Sequence, residues 1–185
     1  MYNLKLTNSI STLKYISAII NSQLISYLKT KGSTTATKDD FGQLTLTDVR
    51  KIPIKSIPMQ SQLNFVSKVD LISNNKTSFN KLLYNLQKYI QSTYYLEKLS
   101  KKLQNWFSIE FVDFIKELNK ATKKNGNPKL TKTDEMEWME VFSTRKIEIL
   151  KLKTAIDQTD DEIDRMVYRL YGLTEDEIRI VEATA

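Results

Sequence analysis

The sequence predicts a mainly α fold, a helical bundle with long antiparallel helices and a small β or extended element near the N-terminus. Three observations predict it. Only four glycines and three prolines interrupt 185 residues, 41% of them hydrophobic, so long helices are favoured over a many-turned sandwich and a core can be built. Apolar residues recur every three or four positions from Ser78 to Thr122 and again from Ile149 to Leu170, the period of one helix face. Between the two stretches, Asn125-Gly126-Asn127-Pro128 reads as a turn.

Each element follows from local patterning. Leu4 to Thr7 alternates weakly and suits a short strand. From Ser11, a plausible N-cap, Leu13, Ile16, Ile20, Leu24, Tyr27 and Leu28 share one helical face until the Lys29 to Ser33 stretch ends it. Residues 31–40 lack apolar periodicity and read as an exposed loop. Gln43 to Thr47 alternates like a strand, Asp48 to Lys51 suits one helical turn, and Ile52-Pro53-Ile54 is extended because proline restricts its predecessor. Pro58 precedes a helix from about Gln60 to Ser73.

From Ser78 to Thr122 the chain reads as nearly continuous helix. Phe79, Leu82, Leu83, Leu86 and Ile90 form one stripe, and Leu96, Leu99, Leu103 and Trp106 the next. Breaks are expected at Ser92-Thr93 and at Ser108, the second opening a helix with Phe111, Phe114, Ile115 and Leu118. A final long helix begins near Thr131 or Thr133 and carries Ile149, Leu152, Ile156, Ile163, Met166 and Leu170 at heptad spacing, with Thr159 the polar seam position. That seam needs a partner. Packing on the Leu82 to Leu103 stripe is the economical one, and self-association through the heptad helix the alternative. The helix ends in a stop, a turn and a restart: Gly172 suits the left-handed residue that closes a helix, and Thr174 with Glu177 a capping box.

Composition excludes much chemistry. There is no cysteine and no histidine, so disulfides, thiolate zinc sites, cysteine nucleophiles and the serine-histidine triad cannot come from this chain. The start lacks the features of a signal peptide. No apolar run approaches the ~20 residues of a membrane span, so a cytoplasmic location is expected. The net charge of +6 conceals a division along the chain. Met1 to Met59 carries 8 basic and 3 acidic residues, Gln60 to Lys132 carries 13 and 5, and Thr133 to Ala185 carries 7 and 14. A basic body with an acidic tail suits an anionic partner on one side and a protein-facing or self-complementary surface on the other.

Catalytic motifs are missing. Phe41-Gly42 has no second glycine to hold S-adenosylmethionine, and Asn127-Pro128-Lys129 lacks the aromatic that stacks on a flipped base. No aspartate followed by Glu-x-Lys stands in strand context to hold magnesium. Asp157, Asp160, Asp161, Glu162 and Asp164 are the densest carboxylates. A straight helix offers a cation only one side, so they read as a surface face or a match to basic helices. Lys98, Lys101, Lys102, Lys116, Lys120, Lys123 and Lys124 lie near Tyr94, Tyr95 and Trp106, which reads as core aromatics under a lysine surface able to attract phosphates.

Three separated segments together resemble a known family. Leu13 to Ser22 looks like the helix and Asn-Ser signature of target-recognition domains in restriction-modification systems. Leu44 to Ile54, with Gln62 and Val69-Asp70 beyond it, is similar to the passage by which those domains leave the DNA-reading part. Ile163-Asp164, Val167 to Thr174 and Ile180 to Glu182 resemble the far end of the TaqI-like C-terminal specificity domain of type II restriction-modification adenine methyltransferases, single-chain restriction enzymes included.

The resemblance implies a C-terminal fragment: residues 1–59 end a target-recognition region and residues 60–185 form a helical brace. The catalytic core would precede residue 1, so the chain is expected not to be an enzyme by itself, with no catalytic, cofactor or metal site. S-adenosylmethionine is implied for the parent, and magnesium for a parent that also cleaves. The implied partners are double-stranded DNA and the methyltransferase domain of the same parent, with no membrane. Base readers do not transfer within the family, so chemistry alone places phosphate contacts at Lys29, Lys31, Lys38, Arg50 and Lys51, with Thr34, Thr35 and Gln43 near bases. Half of a type I specificity subunit shares the Ile-Pro-Ile passage and Gln62, but the tail after Ile163 argues against it. A helical scaffold docking another chain through its heptad face is the competing class, and a stand-alone enzyme comes third.

Overall fold

The computed structural model of the chain describes residues 12–32, 50 and 52–183. These are mainly helical: α1 Leu13–Ile20, α2 Gln23–Gly32, α3 Met59–Thr93, α4 Lys101–Gln104, α5 Phe111–Lys124, α6 Lys132–Tyr171 and α7 Glu175–Glu182, with a short 3-10 turn at Trp106–Ser108. The described residues contain no strand, and Pro53 to Pro58 is neither helix nor strand. The expected strands at Leu4 to Thr7 and Gln43 to Thr47 lie outside the described residues, and the N-cap of α1 is Thr12, whose hydroxyl accepts from the Tyr15 amide, in place of the expected Ser11. No helix among them is long and apolar enough to cross a membrane.

The chain divides into two compact units. Unit 1 comprises Met1–Ile72 with Asp157–Ala185, and unit 2 comprises Ser73–Ile156. Helix α3 leads out of unit 1 into unit 2, and α6 leads back, so these long helices run in opposite directions.

In unit 1, Tyr15, Ala18, Ile19, Leu24 and Ile25 pack with Phe65 and Ile72 of α3, Ile163, Val167 and Tyr168 of α6, and Val181 of α7. One helix was expected across Leu13 to Leu28; there are two. Asn21 closes α1 through its side-chain amide on Ser17, and the Ser22 hydroxyl donates to the Ile19 carbonyl while facing the Ile25 amide at the start of α2. Short polar side chains thus take over helix bonds. Helix α1 buries Tyr15, Ala18 and Ile19 and leaves Leu13 exposed, and after the break α2 buries Leu24 and Ile25 and leaves Leu28 exposed.

Unit 2 closes around Leu86 and Ile90 of α3, Trp106, Phe114, Ile115 and Leu118, and Trp138, Phe142 and Ile149 of α6. The aromatic rings meet at centroid distances of 4.9 Å for Phe114 and Phe142, 5.4 Å for Phe114 and Trp138, and 6.0 Å for Trp106 and Phe142, which adds to their area burial. Helix α3 ends at Thr93, one of the two expected break points. Leu96 and Leu99 are buried from the connection that follows, not from a helix stripe. No break separates Ser73 from Ser78: the polar run there is mostly exposed, has neither glycine nor proline, and Thr77 bonds back to the Ser73 carbonyl without leaving the helix.

Both glycine stops form. Gly126 (φ 77°) and Gly172 (φ 75°) are left-handed, and each is followed by a residue whose amide reaches five back, Asn127 to Thr122 and Leu173 to Tyr168, the Schellman closure of a helix. Thr174 and Glu177 complete the capping box that starts α7. The heptad seam packs inside the chain: Ile149 belongs to the unit 2 core, while Ile163, Met166 and Leu170 join unit 1 and Thr159 is buried. The expected partner stripe thus meets only the first part of the seam, because α1, α2 and the start of α3 cover the rest.

Candidate functional site

The most highly bonded part of unit 1 is the passage from Ile52 to Pro58 and the side chains that grip it. Proline at 53 and 58 keeps this passage out of the helical ladder, so its carbonyls and amides need partners elsewhere. Tyr15, fully buried on α1, donates its hydroxyl to the Lys55 carbonyl at 2.5 Å. Tyr171, in the last turn of α6, donates to the Pro53 carbonyl and accepts from the Lys55 amide. The Lys55 ammonium caps the Leu170 carbonyl at 2.8 Å, where a cation is favoured by the C-terminal end of the helix dipole.

Gln62, on α3, is fully buried and reads two segments at once. Its carbonyl oxygen accepts from the Thr12 amide at 2.8 Å, and its amide donates to the Ile57 carbonyl at 3.0 Å. Ion pairs between Lys14 and Asp70 and between Lys68 and Glu162, each at 2.5 Å, hold α1 and α6 to α3. At the start of α2, Asp164 accepts from the Gln23 amide at 2.8 Å, and Tyr168 donates to the Gln23 side chain.

The titration of this region follows from burial. Burial, then the carboxylates of Asp160, Asp161 and Glu182, push Asp164 up to about 6 against the Gln23 hydrogen bond. Burial raises the Tyr15 and Tyr168 phenols to about 12, reinforced by Tyr171 and by Asp164 respectively. Both phenols therefore stay neutral donors at physiological pH. No group of three or more carboxylates among the described residues could hold a metal ion.

The expected DNA-facing residues divide. Lys29 is half-buried, its ammonium reaches the Ile20 carbonyl at 3.5 Å, and burial lowers its pKa, so it serves the end of α1. Lys31 and Arg50 are exposed. Thr34, Thr35, Lys38, Gln43 and Lys51 lie outside the described residues. Trp106 is fully buried, which removes it from base stacking and leaves the nearby lysines as a charged surface.

Sequence reasoning missed the gripping residues Tyr15, Lys55, Asp164 and Tyr171 as a set. Gln62 carried a legible signal: it occupies the same face as Phe65, Val69 and Ile72, and a polar side chain on an apolar stripe must find partners. The tyrosines carried none, since each partner is a backbone atom far away in sequence.

This architecture defines a mainly α protein with two hydrophobic cores. Residues 58–167 match a family described as a domain of unknown function (DUF8810). The chain belongs to that family. No curated protein and no solved structure matches it.

Proposed function

We propose that the chain is the C-terminal portion of a DNA target-recognition region in a type II restriction-modification adenine methyltransferase, a cytoplasmic protein whose partners are double-stranded DNA and the methyltransferase domain of its parent. It has no catalytic centre of its own, and S-adenosylmethionine belongs to the parent. One observation carries the reading. The three segments that resemble such domains are 13–22, 44–54 with Gln62 and Asp70, and 163–182. Their described residues fall in unit 1, where Lys14 pairs with Asp70 and Tyr171 donates to the Pro53 carbonyl, while Tyr15 and Gln62 bond to Lys55, Thr12 and Ile57 beside those segments.

In this role unit 1 is an anchor. It presents Lys31, at the end of α2, and Arg50, both exposed, as cations for the DNA phosphates. The basic excess of residues 1–132 supplies the attraction to phosphate.

Fluorescence anisotropy of a random-sequence duplex across a salt series tests the reading. Affinity should fall steeply with salt. Changing Lys31, Lys38, Arg50 and Lys51 to alanine together should weaken binding and lower the log-log salt slope by about 3 to 4. No binding at low salt, or a slope unmoved by the four changes, would sink the DNA-facing role.

A further inference from the structure

Helix α6 carries an apolar stripe that is not the heptad seam and that its own chain leaves exposed. Met136, Met139, Ile147 and Leu150 are 72%, 52%, 70% and 39% exposed. At about 100° per residue they fall with Ser143 on one side of the helix, separate from the side that buries Trp138, Phe142 and Ile149. Four large apolar side chains along one exposed helix face mark an interaction surface.

The spacing of the stripe names its occupant. The intervals between these five residues are three, four, four and three, a sequence symmetric about Ser143. A second copy of α6 running the opposite way lays Met136 against Leu150 and Met139 against Ile147. The two small Ser143 side chains then meet at the axis, where they allow close approach. Such pairing is isologous, each copy presenting the same patch.

Charge points the same way. Flanking the stripe, the first half carries Glu135, Glu137 and Glu140, and the second half carries Lys146, which also pairs with Glu110, together with Lys151 and Lys153. A parallel pairing sets like charges together; an antiparallel one sets the acidic half of each copy against the basic half of the other. On one flank Glu137, Glu140 and Lys151 line up, so each Lys151 faces the two glutamates of the other copy. Beside the stripe, an open groove of about 390 Å³ lined by Phe111, Val112 and Ile115 reaches Glu135 and adds apolar surface.

We infer that this face of α6 is an antiparallel homodimer interface centred on Ser143. It differs from the heptad seam, which is spent inside the chain. Its modest size makes the dimer reversible and concentration-dependent.

Sedimentation equilibrium of the full chain from about 1 to about 200 μM should show a monomer–dimer transition. Ile147→Asp, at an exposed position, should leave the circular dichroism unchanged and raise the dissociation constant on the order of 100-fold. Lys151→Glu should weaken the dimer about tenfold, and mixing that chain with the Glu137→Lys chain should give a heterodimer tighter than either variant's own dimer. Because the chain has no cysteine, oxidised Ser143→Cys should give a disulfide-linked dimer, while Ser92→Cys, exposed on α3, should not. A monomer throughout the range, a dimer indifferent to Ile147→Asp, or equal cross-linking at the two cysteine positions would each overturn the interface.

Discussion

Units 1 and 2 reach stability by different means. Unit 2 is an aromatic core closed by short-range chain: its rings come from Trp106, Phe114, Trp138 and Phe142, and bonds such as that from Trp138 to Tyr94 join residues 44 apart. Unit 1 has fewer rings and is pinned by polar bonds between distant segments, such as Lys55 to Leu170, Tyr171 to Pro53, Gln23 to Asp164 and Tyr168 to Gln23, spanning 115 to 145 residues. Packing forces supply cohesion without direction, while hydrogen bonds supply register. The unit that must hold three remote segments in one arrangement is the one that uses the directional bonds.

Truncating the aromatic core should have the largest effect. Phe114→Ala removes a fully buried ring that touches Trp138 and Phe142 and should lower the unfolding free energy by about 4 kcal/mol in a urea titration. Gln62→Leu keeps the volume but leaves the Thr12 amide and Ile57 carbonyl unpaired, and should cost about 2 kcal/mol. If the glutamine change proved as costly as the phenylalanine one, the contrast between a packed unit and a pinned unit would fail.

The smallest effect depends on pH and belongs to unit 1 alone. Asp164 is raised from 3.8 to about 6 mainly by burial, so the folded chain binds its proton more tightly than the unfolded chain. Stability at this site is therefore greatest below about pH 4 and is lost as pH rises through 6. The residue is only half-buried, and solvent screening holds the loss to on the order of 1 kcal/mol. Asp164→Asn should accordingly be more stable than the parent by that amount at pH 7 and equal to it at pH 4. A difference of the same size at both pH values would show that the carboxylate is not strained in the fold.

What was legible in the sequence was local. The stop at Gly172, the capping box at Thr174, the turn at Asn125-Gly126 and the end of α3 at Thr93 all stand where their own residues put them, because caps are satisfied within one helical turn. What was not legible depended on remote partners. The polar run after Ser73 reads as a break but remains helix, and Asn21-Ser22 breaks a stretch that reads as continuous. The second part of the heptad seam meets α1 and α2 in place of the expected stripe. Gln62 entered beforehand only through the resemblance, although its place on the face of Phe65, Val69 and Ile72 already marks a polar residue in need of partners. Of the eight expected DNA-facing residues, Lys31 and Arg50 stand exposed and Lys29 has a structural duty at the end of α1.

The grip of Tyr171 on Pro53 has a consequence for biosynthesis. A ribosome delivers residues 73–156 as one uninterrupted stretch, so unit 2 can close as soon as α6 is half made. Unit 1 cannot, since its first pieces wait for Asp164, Tyr168 and Tyr171 to emerge. During that interval the apolar faces of α1, α2 and the start of α3 are uncovered, and the nascent chain is most open to aggregation or chaperone capture until its last turns arrive.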